Sequence, residues 1–235
     1  MNIALIGYGK MGKEIEQIAL DKGHSISQKF SSKNPINIDQ LKTCDVAIEF
    51  TRPELAVKNI EACLQANIPV VVGTTGWYNH FDAVCASVKK FDGSLFHATN
   101  FSIGVNLFFK LTEMLGKLMN GQNYHVNIEE IHHTQKVDEP SGTAITTAER
   151  LMEHYTDKKK WVLGAAKEAT ELGIKAIRKP DVPGTHKITF NSEIDSITLE
   201  HVAHNRKGFA GGAVLAAEWL LNKKGVFSMN DLLNS

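Results

Sequence analysis

Met1-Asn2-Ile3-Ala4-Leu5-Ile6-Gly7-Tyr8-Gly9-Lys10-Met11-Gly12 opens the chain. Residues 2–6 are apolar and read as a buried strand. Met11, Ile15, Ile18 and Ala19 then recur at helical spacing until Gly23 stops the helix. A Gly-x-Gly-x-x-Gly triplet that follows a strand and opens a helix is the context in which this pattern signals a dinucleotide. The first glycine permits the tight turn, the second lets backbone approach a pyrophosphate, and the third lets helix and strand pack closely. Amides at the helix start then face the phosphates. Gly7, Tyr8, Gly9, Lys10, Met11 and Gly12 are the expected contacts, with a glycine-rich packing turn as the plainer reading.

Further along, apolar runs at 25–30, 46–50, 69–72 and 94–98 alternate with helical patterns. Pro53 suits the first turn of a helix carrying Leu55, Ile60, Cys63 and Leu64. Strands and helices alternating at this pace predict a Rossmann-type, doubly wound parallel sheet with right-handed crossovers. Gly73-Thr74-Thr75-Gly76 follows the fourth strand, and Ala98-Thr99-Asn100-Phe101 follows the fifth. Both fall at the carboxyl edge, where such sheets bind ligands. Gly73, Thr74, Thr75, Ala98, Thr99, Asn100 and Phe101 are therefore expected near a nicotinamide. The end of the second strand, Lys29-Phe30-Ser31-Ser32-Lys33, contains no acid to hold a ribose diol. Ser31 and Lys33 suit a 2′-phosphate, with Lys10 nearby, so of NADPH and NADH the sequence leans to NADPH. A solvated strand end is the alternative.

After Asn100 the rhythm changes. The pattern predicts helices over 104–119 and 142–154, and strands over 124–132, 187–191 and 196–202. It also predicts a helix over 211–222 that returns to the first domain. This makes a second α+β domain with a mainly antiparallel sheet. The expected division is 1–101 plus 210–235 for the dinucleotide domain and 102–209 for the substrate and oligomerisation domain. Asp157-Lys158-Lys159-Lys160 reads as a solvated helix end or loop.

With 235 residues, 43% of them hydrophobic, the chain can bury a core in each of two domains. A formal net charge of +0 provides no global field toward nucleic acid or membrane, so affinity for an anion must be local. Cys44, Cys63 and Cys85 lack Cys-x-x-Cys spacing and read as reduced packing residues. No basic-then-apolar leader opens the sequence, and no apolar run approaches the ~20 residues of a membrane span. A cytoplasmic protein is expected.

The chemistry concentrates in Glu130-Ile131-His132-His133-Thr134-Gln135-Lys136-Val137-Asp138-Glu139-Pro140-Ser141-Gly142-Thr143-Ala144. Histidine is the usual proton donor near neutral pH. Lys136 brings positive charge, and the amides of Gly142 and Thr143 at a helix start make an anion site. Asp138 and Glu139 read as supports for the loop and helix start. A metal site would need histidines on one face with a third ligand. Adjacent histidines followed by lysine do not supply that, so no metal is expected.

At these residues the chain resembles the 4-hydroxy-tetrahydrodipicolinate reductase (dihydrodipicolinate reductase) family. The resemblance extends through the glycine fingerprint, Gly73-Thr74-Thr75-Gly76, Asn100-Phe101-Ser102-x-Gly104-Val105-Asn106 and Phe209-Ala210-x-Gly212-Ala213. It implies an NAD(P)H-dependent reduction in lysine and diaminopimelate synthesis, forming tetrahydrodipicolinate and water. It also implies hinges near Asn100–Ser102 and Lys207–Gly211, and a homotetramer built by the second domain. It gives His132 and Lys136 proton-transfer roles and sets the carboxylates of a small dicarboxylate substrate against His133, Gly142 and Thr143. The chain departs from the family pattern in three places. Members often carry an acid where Ser31 stands. Many have Arg-Gly-Gly before Gly-Glu-His, here Arg178-Lys179-Pro180 and Gly184-Thr185-His186. A later His-Arg-Ala-x-x-Arg is shortened to His204-Asn205-Arg206. Another two-domain dehydrogenase of amino or keto acids, or a dinucleotide sensor without turnover, would share the first domain but not this central cluster.

Overall fold

The computed structural model describes residues 1–205 and 207–235; Arg206 lies outside the described residues. The chain divides into two compact units, Met1–Ile103 with Lys207–Ser235, and Gly104–Arg206.

The first unit contains, in chain order, β1 (Asn2–Ile6), α1 (Lys10–Asp21), β2 (Ser25–Phe30), α2 (Ile38–Leu41), β3 (Val46–Glu49), α3 (Pro53–Gln65), β4 (Val70–Val72), α4 (Phe81–Lys90) and β5 (Ser94–His97). From Ile103 the chain enters the second unit. There it forms α5 (Ile103–Met119), β6 (His125–His132), α6 (Gly142–Met152), β7 (Lys160–Leu163), β8 (Glu171–Arg178), β9 (Gly184–Asn191) and β10 (Ser196–Ala203). It then returns to the first unit as α7 (Lys207–Leu220), β11 (Gly225–Phe227) and α8 (Met229–Leu233).

The first sheet has the order β11-β5-β4-β3-β1-β2, and every pairing in it is parallel. Its inner strands β1, β3, β4 and β5 are buried on both faces because helices cover both. Ile3 and Leu5 of β1 face a core shared with Ile15 and Ala19 of α1 and Val214 and Ala217 of α7. Ala4 and Ile6 face the other core, with Ile60 and Leu64 of α3 and Val84 of α4. Strand order reverses between β1 and β3, which is where a sheet of this kind opens its ligand crevice. Three short elements escape the sequence reading: α2, β11 and α8. Side chains define their starts. Asn37 caps α2 by accepting from Asp39 and Gln40, and Ser228 and Asp231 form a capping box at α8.

The second sheet has the order β10-β9-β6-β8-β7. It is mixed, with β9 antiparallel to β6 and β10, while β8 runs parallel to β6 and β7. The sequence predicted a mainly antiparallel sheet because β7 and β8 went unseen. Lys160 belongs to β7, so the predicted loop at 157–160 ends in a strand. Strand β8 buries Glu171, Leu172, Gly173 and Ile174 in succession, and that leaves no alternation to read. One face of the sheet packs Val126, Ile128, Ile174 and Ile188 against Phe108 and Phe109 of α5 and Ala148 and Leu151 of α6.

Two glycines of the first turn test this packing in opposite senses. A Cβ on Gly12 would lie 2.3 Å from the Gly7 carbonyl oxygen, while a Cβ on Gly9 meets nothing within 4 Å. Gly12→Ala is expected to cost about 1–3 kcal/mol of stability by overpacking. Gly9→Ala should stay within about 0.5 kcal/mol of the parent yet weaken coenzyme binding, because its methyl enters the open cradle. Urea unfolding and coenzyme fluorescence titration of both variants check this.

Candidate functional site

The first turn has the shape that a pyrophosphate needs. Gly7 adopts φ +95°, and a Cβ there would meet the Phe50 carbonyl oxygen at 2.0 Å. Gly9 caps α1 in an extended conformation with open space beside it, and Lys10 is exposed. Met11 is half-buried and packs against the core. Tyr8 has a local partner the sequence reading missed. Its hydroxyl donates to Glu16, whose other oxygen lies 2.5 Å from Lys29 Nζ, and the ammonium sits 4.8 Å over the tyrosine ring. The hydrogen bond from Lys29, then that from Tyr8, holds the Glu16 carboxyl below its ordinary range.

At the end of β2 the two expected specificity residues differ in availability. Ser31 Oγ accepts from the backbone amides of Lys33 and Asn34, each at 3.3 Å, and so shapes its own turn. Lys33 is exposed and makes no ion pair among the described residues. Lys29 is committed to Glu16, whereas Lys33 and Lys10 make no ion pair among the described residues.

The carboxyl-edge loops divide in the same way. Thr74 is buried; its Oγ1 accepts from the Thr51 amide at 2.7 Å and its carbonyl accepts from Trp77 Nε1 at 2.8 Å. Gly73 passes against the Phe50 ring, where a Cβ would come to 2.1 Å. Thr75 is exposed. Below this loop lies Glu49, fully buried, which accepts from Asn59 Nδ2 at 3.1 Å and from Thr51 Oγ1. Burial pushes its carboxyl above the ordinary range, against the hydrogen bonds of Thr51, Thr74 and Asn59. In the other loop, Thr99 is exposed and Ala98 buried, and Asn100 Oδ1 accepts from the Ser102 amide at 2.9 Å. Phe101 packs against Phe50 and Phe96 in the core, so its backbone is the part that could reach a ligand.

In the second unit, β6 alternates down to its last residue, which puts Glu130 and His132 on the buried face with Val126 and Ile128. Pairing then determines their neighbours. Glu130 lies opposite His186 on β9, and His132 lies opposite Arg178 on β8. The His132 ring meets Glu130 Oε2 through Nδ1. The other carboxylate oxygen accepts from Arg178 Nη1 at 3.0 Å and from the Ser141 amide at 3.2 Å. His186 Nε2 lies 3.2 Å from Ser141 Oγ, and its ring meets that of His132 edge-on at 5.1 Å. Donor atoms of Glu130, His132 and His186 all lie within 4.8 Å of one another, a grouping that could hold a cation. They are, however, engaged with each other, with Ser141 and with a guanidinium on the same carboxylate. The grouping reads as a hydrogen-bond network.

Beyond the strand, His133 turns away from that network. It lines a cavity of about 310 Å³ with Thr134, Gln135, Pro180, Asp181, Val182, Pro183 and Asn205. Lys136 Nζ donates to Asp138 Oδ1 at 2.8 Å. Burial works to raise the Asp138 carboxyl, but Lys136, its own amide and the Gly142 amide hold it below the ordinary range. Ser141 caps α6 by accepting from the Ala144 amide at 3.2 Å. Gly142, exposed, and Thr143, half-buried, form the first turn of α6.

Residues 1–101 match the family described as "Dihydrodipicolinate reductase, N-terminus", and residues 104–233 match "Dihydrodipicolinate reductase, C-terminus". The chain belongs to the dihydrodipicolinate reductase family. It is 47% identical to a 4-hydroxy-tetrahydrodipicolinate reductase of Christiangramia forsetii, over 100% of this chain and 98% of that one. It is 35% identical to one of Methanoregula boonei, over 82% of this chain and 76% of the relative. A dipicolinate-bound dihydrodipicolinate reductase from Paenisporosarcina shares the fold, with a TM-score of 0.80 at 24% identity over 97% of each chain.

Family membership makes the chain an oxidoreductase. In it, the residues that sequence reading left without roles are Glu130, Arg178 and His186. A step of two back from His132 along a strand would have found Glu130, whereas Arg178 and His186 needed the pairing of three strands. Of the family departures, Arg178 keeps its guanidinium on Glu130.

Burial, then the electrostatic influence of His132, pushes the His186 imidazole down to about 3, so it is neutral in the folded chain. Unfolding returns it to about 6.5. Below that pH the unfolded state binds a proton that the folded state refuses. Stability therefore falls as pH drops from about 6.5 toward 3, by up to ~1.4 kcal/mol per pH unit for this group. Burial tends to raise the Glu130 carboxyl, but His132 and Arg178 outweigh it and hold it at about 2. Its stabilisation is lost only in a lower window, as pH falls from about 4.5 to 2. Urea unfolding between pH 7 and pH 5 should show a shallower loss for His186→Gln than for the parent; equal slopes would contradict the assignment.

Proposed function

We propose that the chain reduces 4-hydroxy-tetrahydrodipicolinate to tetrahydrodipicolinate, consuming NAD(P)H and one proton and releasing NAD(P)⁺ and water, in the diaminopimelate route to lysine. Family membership carries the reaction itself. The roles of individual residues rest on the cluster at the end of β6, and the single observation that supports them best is His132 held on a buried carboxylate.

The open cradle at Gly9, between glycines that packing requires, fits a pyrophosphate. Gly7, Tyr8, Gly9, Lys10, Met11 and Gly12 would hold it. Gly73, Thr74, Thr75, Ala98, Thr99, Asn100 and Phe101 would border the nicotinamide, largely through backbone atoms and the exposed threonines. Bound there, the coenzyme supplies a hydride. His132 has Nδ1 committed to Glu130, so Nε2 is the nitrogen that gives up a proton as the hydroxyl leaves as water. Lys136 is the second proton donor.

His133 and the amides of Gly142 and Thr143 receive the substrate carboxylates. A carboxylate already occupies part of that place, because Asp138 draws on Lys136 and on the Gly142 amide together. A dicarboxylate entering there meets groups oriented toward negative charge.

We further propose a cytoplasmic homotetramer assembled through the second unit. The face of the second sheet opposite α5 and α6 presents Glu129, Ile131, Lys175, Ile177 and Val202, exposed or half-buried. Among the described residues, no helix is long and apolar enough to cross a membrane.

NADPH is the favoured coenzyme in this reading, through Lys33 with Lys10. Steady-state kinetics should give a higher kcat/KM with NADPH than with NADH, and Lys33→Ala should lower the NADPH value about fivefold to tenfold while sparing NADH. A clear NADH preference in the parent overturns it. His132→Gln should lower kcat by about 10² to 10⁴. Lys136→Ala should lower kcat and weaken inhibition by dipicolinate. An unchanged kcat in the first variant removes His132 from the proton transfer.

A further inference from the structure

Glu130 carries a charge in a place where an unpaired charge could not persist. Its side chain is 0% exposed, and a carboxylate in such a place must be fully paired. Arg178 Nη1 and the Ser141 amide together satisfy one oxygen, at 3.0 and 3.2 Å. Arg178 is itself fastened, with Nη2 donating to the Asp138 carbonyl at 2.7 Å and Nη1 to the Ile177 carbonyl at 3.0 Å. The second carboxylate oxygen therefore has a fixed position and direction, and what it meets is His132 Nδ1.

We propose that Glu130 is the positioning residue for His132: its carboxylate, pinned by Arg178 and the Ser141 amide, accepts the Nδ1–H hydrogen bond, so that the imidazolium gives up the proton on Nε2 to the substrate and keeps the one on Nδ1. A histidine bonded through one nitrogen to an oriented carboxylate has its tautomer and ring plane decided for it. On β9 the residue beside the other nitrogen is a glycine. Gly184 passes Nε2 so closely that a Cβ there would lie 3.0 Å away. The same loop that supplies the Ser141 amide opens α6, so the element carrying the proposed carboxylate site also anchors the proton donor. The proposal deepens the reading of His132 as proton donor and rests on it.

A structural ion pair would stabilise the fold without caring which histidine nitrogen is protonated. The test must separate the two. Glu130→Gln keeps the shape and removes the charge; kcat should fall about 10- to 100-fold, with KM for the dicarboxylate and affinity for NADPH within twofold of the parent. Glu130→Asp should recover part of kcat. In the double variant Glu130→Gln with His132→Gln, activity should be no lower than with His132→Gln alone, because the carboxylate acts through the ring.

Nitrogen-15 histidine NMR of the unaltered protein reads the tautomer directly. It should show an exchange-protected proton on Nδ1 of His132, absent in Glu130→Gln. This measurement stands even where a variant fails to fold. A His132 ring with bare Nδ1, an unchanged kcat in Glu130→Gln, or additive losses in the double variant each overturn the positioning role while leaving His132 as proton donor. An unchanged kcat in His132→Gln overturns the underlying reading instead, and the proposal with it.

Discussion

The interaction on which the second unit depends is the pairing of one buried negative charge. Desolvating a carboxylate without partners costs several kcal/mol, so the sheet must bring donors to Glu130 from three directions. Strand β6 makes this possible because it is central. Its neighbour β8 brings Arg178, its own i+2 position brings His132, and the turn into α6 brings the Ser141 amide. His186, opposite Glu130 on β9, adds a neutral ring that fills the remaining side and touches Ser141. Removing one member strands the others, so the conditions that stabilise this corner of the sheet are also those that orient the His132 ring.

The first unit is organised by a different constraint, close approach rather than charge. Gly7 and Gly12 are required by backbone lying within 2.3 Å of where a side chain would begin, and Gly212 by the Phe101 carbonyl at 1.8 Å. Gly9 is not required by packing at all. Open space beside Gly9, set between two glycines that have none, is the room that the proposed pyrophosphate site would use. The buried Glu49 extends the logic to the neighbouring loops: its hydrogen bonds with Thr51 and Asn59, and that of Thr51 with Thr74, tie the ends of β3 and β4 into one surface.

Legibility followed the range of the interactions. The parallel sheet could be read because each βα unit carries its own signals: an apolar run, a turn, a helical period. The cluster from His132 to Thr143 could be read because its members are close in sequence. Strands β7 and β8 could not, since one is short and mostly exposed and the other is apolar without alternation where it is buried. Missing β8 meant missing Arg178, and with it the reason why Glu130 can be charged inside the protein. The residues Ser31 and Thr74 illustrate a second limit. Sequence assigns a hydroxyl to a ligand or to a turn with equal ease, and only geometry shows both engaged with nearby backbone amides.

A chain with a formal net charge of +0 attracts a doubly anionic substrate only by separating its charges locally. Around α6 two cations are each held by a carboxylate. Arg178 is held by Glu130, and Lys136 by Asp138. These two pairs differ in exposure, and the difference decides what each can do. Glu130 is sealed in, so Arg178 stays neutralised and serves orientation. Asp138 is exposed, with a side chain 58% accessible, so in the proposed reaction its hold on Lys136 and on the Gly142 amide would exchange with a substrate carboxylate. A buried pair thus fixes the His132 ring, while an exposed pair keeps the groups of the proposed carboxylate site together and accessible, and the two are built from a single fifteen-residue stretch plus one arginine from the neighbouring strand.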